Sequence, residues 1–472
     1  MTQPDSTPNT FQDSNTITYL RQDQGDGLLV KQYLRKQFNA KMVKYALLRF
    51  LGQEVPVEYW PPAQRRDFEK TCLSLWLAKG FSAPEVRTLP ADFLITSPVL
   101  GIALIKGERL DTYLANPDLQ TADKLSTIAN VFAEMHNRHC MAIFEQNHQL
   151  IHYDANLRNL LIVNGQPVHI DFEMGHLKEH IDKSAAREVK KITLQVINHL
   201  DASLSYPVIR LLMAHYQIHH IVRRMVDEEL ERPFQRFHIQ RDKKKKKKDP
   251  GLITKMDLAF MIKQNLEETF PKRTTNAHNQ DLIHAIETSW DGRFYQSLDD
   301  SDPRGRDMKH RYEVMGFPAS FANCSVLDIG CNIGRICVDA KKRGAKRAIG
   351  IDNRKDVVDT MNNYFKKKEI DVSLFAFDIN NGVGALESLI GHAPFDYVCV
   401  LSIWSHVEKQ KLWDIINRYC TKVCFFEDNA PSRINSLDQI KIILEKNVDF
   451  STIEFMGFTT DRGVRAVFRM EK

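Results

Sequence analysis

Hydrophobic and polar positions change rhythm along this chain, and the changes mark out its parts. Short runs at Gly27 to Leu34 and Asp92 to Ile105 read as strands, whereas Leu125, Ile128, Phe132 and Met135 recur at helical spacing. A small sheet followed by a helical region is the expected order. From about Ser325, apolar stretches "SVLDIG", "RAIGID", "SLFAFD", "FDYVCVLS" and "KVCFFE" alternate with helix-patterned segments, which predicts a doubly wound parallel sheet. Between the halves lies "RDKKKKKKDPG", residues 241 to 251, where like charges repel and Pro-Gly stops regular structure. The pattern there predicts a loop, followed by one amphipathic helix in "KMDLAFMIKQNLEETF". The layout is therefore an α+β bilobal region over 15 to 235, a basic linker and connecting helix over 236 to 289, and an α/β doubly wound, Rossmann-like domain over 290 to 472. The polar start "MTQPDSTPNTFQDSN" lacks an apolar core and a basic beginning, so residues 1 to 14 read as a disordered leader.

Composition adds limits. At 472 residues the chain exceeds one ordinary core, and no apolar run approaches the roughly 18 residues that cross a bilayer. The eight cysteines show neither a CxxC pair nor a Cys/His metal spacing. That predicts free thiols, no zinc site and a cytoplasmic location. Lys243 to Lys248 supply six of the positive charges behind a formal net of +5, leaving −1 elsewhere. A charge so localised reads as a solvated linker or as a peripheral contact with anionic membrane. It argues against nucleic acid, since no aromatics are interleaved with the lysines.

Two stretches carry chemistry. In "HYDANLRNLLIVNGQPVHIDF", residues 152 to 172, Asp154 stands in a polar turn, Asn159 follows five residues later, and Asp171 ends an apolar strand. Asn-Gly between "LLIV" and "VHI" is a tight-turn signal, so a hairpin would return Asp171 beside Asn159. Phosphoryl transfer from ATP needs a carboxylate to accept the hydroxyl proton and hard oxygen ligands for Mg2+. Asp154 suits the first task, and Asn159 with Asp171 suits the second.

These residues resemble the protein-kinase-like superfamily, above all its lipopolysaccharide-kinase branch, in Asp154, Asn156, Asn159 and the closing "IDF", across about residues 15 to 235. The resemblance implies ATP binding by Lys31 in "GLLVKQYL", paired with Glu69 from "RRDFEKTCLSLWLAKGFSAPEV". It also implies backbone contacts to adenine near Ile105 and Gly107 in "IALIKGERL". The chain departs from protein kinases in reading "DFE" in place of DFG, in lacking an APE-like segment, and in having only "QGDG" for a glycine-rich loop. A saccharide or lipid-linked glycan hydroxyl fits such a compact kinase better than a protein.

The second stretch is "VLDIGCNIGRI", residues 326 to 336. Asp328 would repel a dinucleotide pyrophosphate but attract the α-amino group of S-adenosyl-L-methionine. Gly330 and Gly334 let the backbone approach that cofactor, and Asp352, 18 residues beyond Gly334, is placed for its ribose hydroxyls. The region from 290 to 472 resembles class I methyltransferases, which extends the cofactor set to Cys331, Phe377 and Asp378. Asn332 stands where that family has Gly, and Asn tolerates a positive φ. His406 in "WSHV" is a candidate base for a neutral acceptor, and Arg311 in "MKHRYEVM" a candidate contact for an anionic one.

A kinase region followed by a methyltransferase region is similar in content, though reversed in order, to O-antigen chain-terminating enzymes. That content implies phosphorylation of a glycan and methylation of the product. Other expectations remain open: a kinase-like region that only binds nucleotide for regulation, an independent small-molecule kinase, or a metabolite or RNA methyltransferase.

Overall fold

The computed structural model describes residues 10–12, 16–21, 27–34, 56–89, 98–177, 179–231, 233–269, 296–298, 306–429, 436–461 and 463–472. Two compact units, Met1–Leu266 and Glu267–Lys472, divide the chain.

In the first unit, β1 (Thr10–Gln12), β2 (Thr16–Arg21), β3 (Leu28–Tyr33), β4 (Val86–Arg87) and β5 (Val99–Ala103) form an antiparallel sheet in the order β1-β2-β3-β5-β4. Helix α1 (Pro62–Ala78) begins with proline at its first position, where the missing N–H costs nothing, and buries Phe68, Cys72, Leu73 and Trp76. A second sheet joins β6 (Glu108–Arg109), β7 (Leu160–Val163) and β8 (Gln166–His169). The β7–β8 turn holds Asn164 at φ 51° and Gly165 at φ 74°, the backbone that a two-residue hairpin with strand twist requires.

Helices fill the rest of this unit: α2 (Leu110–Ala115), α3 (Thr121–Glu145), α4 (Ile181–Asn198), α5 (Ser205–His215), α6 (His219–Leu230), α7 (Gln235–Lys248) and α8 (Lys255–Thr269). The stripe through Ile128, Phe132 and Met135 lies buried on α3. Arg138, on the same helix, reaches Glu188 of α4 at 2.5 Å with both groups almost fully buried. The pair also grips the chain between α3 and β7. Arg138 Nη1 donates to the Leu150 carbonyl at 2.7 Å, and the His152 N–H donates to Glu188 Oε2 at 2.9 Å.

Two expectations change here. The lysine run belongs to helix α7 and forms no loop. Lysine is a good helix former when its long side chain stays solvated, and cations in the last turn oppose the helix dipole favourably. The connecting helix is α8, which buries Met256, Leu258, Ala259 and Ile262 and is tied to α4 by Asn198 through both backbone groups of Ile253. The first unit therefore reaches Leu266 instead of ending near 235. At the other end Thr10–Gln12 pairs with β2, inside the stretch expected to be a leader. Residues 1–9, Gln24 to Asp26 of "QGDG" and residues 270–295 lie outside the described residues.

In the second unit, α9 (Met308–Met315) precedes β9 (Ser325–Ile329), α10 (Arg335–Lys342), β10 (Arg347–Asp352), α11 (Lys355–Lys367), β11 (Ser373–Ala376), α12 (Gly382–Ile390), β12 (Phe395–Leu401), α13 (Lys409–Tyr419), β13 (Cys420–Glu427), α14 (Leu437–Asn447), β14 (Thr452–Thr459) and β15 (Arg465–Glu471). The seven strands order as β11-β10-β9-β12-β13-β15-β14; the five from β9 to β13 run parallel, and β15 is antiparallel to both its neighbours. Every residue of β9 is buried, as expected for a strand covered on both faces. Strand order reverses on either side of β9, which opens a crevice at the carboxyl ends of the parallel strands. No helix among the described residues is long and apolar enough to cross a membrane.

The crevice floor is tightly packed. A Cβ on Gly350 of β10 would stand 2.6 Å from Cys331 Sγ and 2.7 Å from Leu374 Cδ2. Gly350→Ala should lower the stability of this unit by about 1–3 kcal/mol, seen as a lower midpoint in its urea unfolding transition. An unchanged midpoint would mean that the cofactor turn is free to move away from β10.

Candidate active sites

The first cleft is built around one buried ammonium group. Lys31 points inward from β3 and lies 3.0 Å from Glu69 Oε2 on α1, 2.6 Å from Asp171 Oδ1 and 3.7 Å from Glu173 Oε1. Burial alone would push the Lys31 amine down, but Asp171, Glu69 and Glu173 outweigh it and hold the amine well above its usual range. Glu69 is itself positioned by the Tyr33 hydroxyl at 2.5 Å and by the Phe172 N–H at 3.2 Å. Asp171 has φ 66°, a left-handed conformation that carboxylates tolerate better than most side chains. The Ile170 N–H donates to the Asn159 carbonyl at 3.0 Å, which sets Asp171 beside Asn159. Asn159 Nδ2 donates to Asp154 Oδ2 at 3.0 Å and to the Asp154 carbonyl at 3.1 Å.

Lys31, Glu69, Ile105, Asn159 and Asp171 line a single cavity of about 280 Å³. Asp154 joins them through Asn159. Gly107 does not line this cavity; its backbone is pressed against β7, where an added Cβ would stand 2.8 Å from Val163 Cγ2. Asn159 and Asp171 offer hard oxygen donors of the kind Mg2+ takes, and the Asn159 amide turns its nitrogen to Asp154, leaving its oxygen for another partner. Two participants were not anticipated. Arg65 donates to Glu173 Oε2 at 2.8 Å, and burial with help from Asp171 and Glu69 pushes the Glu173 carboxyl up to about 7 against Lys31 and Arg65. Their signals were the "DFE" departure and an arginine one helical turn before Glu69.

The second site lies where the parallel strands of the other unit end. Gly330, Asn332 and Gly334 have φ of 78°, 50° and 77°, so the turn after β9 takes the left-handed path with Asn in one of its places. The Gly330 and Cys331 N–H groups donate to the Ile351 carbonyl at 2.8 and 3.0 Å. Asp352 then accepts the Asn332 N–H at 2.8 Å and the Arg354 N–H at 3.0 Å, which fixes its carboxylate at the rim of the crevice. A cavity of about 350 Å³ is lined by Gly330, Asp352, Phe377, Asp378 and His406 among the anticipated residues. Asp328, Cys331 and Gly334 do not line it, and Asp328 and Cys331 are buried. Burial pushes the Asp328 carboxyl up to about 7, Arg311 opposing and Asp352 adding to the shift.

The donor set fits S-adenosyl-L-methionine. Asp352 suits ribose hydroxyls and Phe377 a flat base, while Asn332 lines the cavity with a buried Oδ1 that has no hydrogen-bond partner. A buried acceptor of that kind is costly unless a ligand donor such as an ammonium satisfies it.

Arg311 is placed differently from the expectation. Its Nε reaches Glu427 Oε1 at 3.0 Å and its Nη2 reaches Oε2 at 2.6 Å, and the pair is almost fully buried. Arg306 at 3.2 Å, Thr459 at 2.7 Å and Arg465 at 3.8 Å also meet it, with Ser402 hydrogen-bonded to Oε2. Burial opposes ionisation of Glu427, but Arg311 and Arg306 overcome it and hold the carboxyl far below the usual range. A planar two-point contact of this kind occupies the face of the guanidinium that an anionic acceptor would need. Arg354 and Arg465 are the arginines that line the cavity; Arg465 Nη1 donates to Ser402 Oγ at 2.5 Å and lies 3.8 Å from Glu427 Oε2. Ser402 and Asn429 line it as well, each at a strand end that no local pattern marked.

Residues 326–422 match the family described as Methyltransferase domain. The second unit thus has a Rossmann-like methyltransferase fold. Over 76 residues the chain is 39% identical to the uncharacterized protein MJ0284 of Methanocaldococcus jannaschii, covering 16% of this chain and 35% of that protein. The chain therefore spans about a third of the length of that curated relative. Among solved structures it is similar to magnesium protoporphyrin IX methyltransferase from Synechocystis with bound S-adenosylmethionine, at 13% identity and TM-score 0.27, covering 44% of this chain and 90% of that one. It is also similar to WbdD, at 15% identity and TM-score 0.32, covering 40% and 41%.

If Glu427 anchors Arg311, then Arg311→Met should destabilise the methyltransferase unit by about 3–5 kcal/mol in denaturant unfolding, because it strands a buried carboxylate. An arginine that only contacted an acceptor would leave stability unchanged. Asp328 makes a separate prediction. Its folded pKa lies above the unfolded value, so its contribution to stability is full below about 4 and is lost as pH rises towards 7. Asp328→Asn should flatten that decline when unfolding is compared at pH 5 and pH 8.

Proposed function

We propose that the chain is a bifunctional enzyme: its first unit is a bilobal, protein-kinase-like phosphotransferase using ATP and Mg2+, and its second methylates the phosphorylated product. The acceptor in this reading is a sugar hydroxyl of a surface glycan or lipopolysaccharide, and the product a methyl phosphate. The observation that carries it is the Lys31–Glu69–Asp171 cluster opening on Asn159 and Asp154, in one chain with a methyltransferase domain.

Each residue then has a task. Lys31 holds phosphate oxygens, Glu69 keeps Lys31 aimed, and Asn159 and Asp171 would hold Mg2+, which would supply charge neutralisation. Asp154 accepts the proton of the acceptor hydroxyl as its oxygen bonds to the γ-phosphorus and the bond to the β-phosphate oxygen breaks. Lys191, 3.6 Å from Asp154 Oδ1, steadies that carboxylate. In the second step an oxygen of the new phosphate attacks the methyl carbon of S-adenosylmethionine, the oxygen–methyl bond forming as the sulfur–methyl bond breaks and its electron pair stays on sulfur, so that neutral S-adenosylhomocysteine leaves. An anionic oxygen needs no base, so alignment supplies most of the rate, and Arg465 provides the orienting charge. His406 takes the part of a base only for a neutral acceptor.

A second reading, a module that binds nucleotide without transferring phosphate, is favoured by the way three carboxylates already occupy the Lys31 ammonium. Double labelling separates the two. With γ-phosphate-labelled ATP, methyl-labelled S-adenosylmethionine and a panel of saccharides and lipopolysaccharide fractions, methyl incorporation should require ATP. Asp154→Asn should lower phosphate incorporation at least about a hundredfold and methyl incorporation with it. Methyl incorporation that is equal with and without ATP would refute the series, and nucleotide binding without turnover would establish the regulatory reading.

A further inference from the structure

Helix α7 carries a face that neither site uses. His238, Asp242 and Lys246 recur every fourth residue and are its only half-buried positions; Lys246 pairs with Asp257 of α8 at 2.7 Å, so this stripe faces the unit. Every other position of the helix is exposed. The outward side presents Arg236, Arg241, Lys243, Lys244, Lys247 and Lys248. Eight basic side chains against Asp242 alone give α7 a formal charge of +7, more than the +5 of the whole chain. The rest of the protein sums to about −2, so this helix carries the net positive charge of the chain.

Apolar surface accompanies the charge. Phe234 at the helix start is 84% exposed and Phe237, one turn on, is 65% exposed. Phe234 also holds φ 60°, a conformation unfavourable for a bulky residue, while burying almost nothing in the unit. We infer that the outer face of α7 docks on an anionic lipid bilayer, with its lysines and arginines against headgroup phosphates and Phe234 and Phe237 set into the boundary with the acyl chains.

The charge row and the two rings suit that occupant. Fourteen residues of helix present the cations over about 21 Å, matching a plane of lipid phosphates. Aromatic rings gain by leaving water at the interface, while basic side chains collect the attraction of anionic lipid within a Debye length. Both phenylalanines sit ahead of the lysine run. A single-stranded nucleic acid is bound better by rings placed between the cations, where successive bases stack. A bilayer contact also suits the proposed lipid-linked glycan acceptor, although the docking surface stands without it.

Vesicle flotation of the full chain tests this. The protein should float with vesicles of 30% phosphatidylglycerol in phosphatidylcholine and not with phosphatidylcholine alone. K243Q/K244Q/K247Q/K248Q, which spares Lys246, should lower binding at least about tenfold and flatten its salt dependence. F234S/F237S should lower binding severalfold while keeping the salt dependence, with circular dichroism unchanged in both variants because these side chains are exposed. No flotation with the anionic vesicles, equal flotation with neutral ones, or wild-type binding by either variant overturns the proposal. So does retention on single-stranded RNA that survives F234S/F237S and exceeds binding to the anionic vesicles.

Discussion

A charge taken out of water must be met by others, and those others come from elements far apart in the chain. Glu427 ends a buried strand and has no exposure, yet Arg306, Arg311, Thr459 and Ser402 all converge on it. Those partners come from the segment before β9, from the end of β14 and from the loop after β12. The mouth of the cofactor crevice is therefore braced by the neutralisation of one carboxylate, and a pair so enclosed is strongly destabilising to break. In the other unit, Lys31 is the same problem with the sign reversed. Glu69, Asp171 and Glu173 meet it from α1 and from the segment after β8.

These nodes connect packing to chemistry. The Arg138–Glu188 pair holds the backbone at Leu150 and His152, which sets the approach to Asp154. The Asn-Gly hairpin then returns the chain so that Asp171 lies beside Asn159. In the methyltransferase unit the left-handed turn after β9 is pinned to the Ile351 carbonyl and the Asp352 carboxylate, so the same bonds that tie the turn to the end of β10 shape the cofactor cavity. Function draws on groups that the fold already has to satisfy.

Much of this was legible in the chain because it is local. The five apolar stretches from "SVLDIG" to "KVCFFE" are β9 to β13, each bounded within a few residues. Asn332 takes its positive φ in the turn, as a residue in a glycine's place must. What misled was composition read without context. Six lysines in a row look like a linker by self-repulsion, but repulsion between exposed side chains is screened in salt, and helical propensity decides the backbone. Likewise Arg311 looks like an acceptor contact only while its partner, more than a hundred residues away, is unseen.

By itself the sequence determined what depends on neighbours in the chain: strand and helix periods, the two turn signals, and the residue types that phosphoryl and methyl transfer need. Only the tertiary structure decided how buried charges pair. It gave Arg311 to Glu427 and set Arg465 between that carboxylate and the cavity, put Glu173 among the partners of Lys31, and placed α8 on the first unit. The physical reason is that a buried ion is satisfied by whichever opposite charge packing brings near, and sequence separation says nothing about that distance.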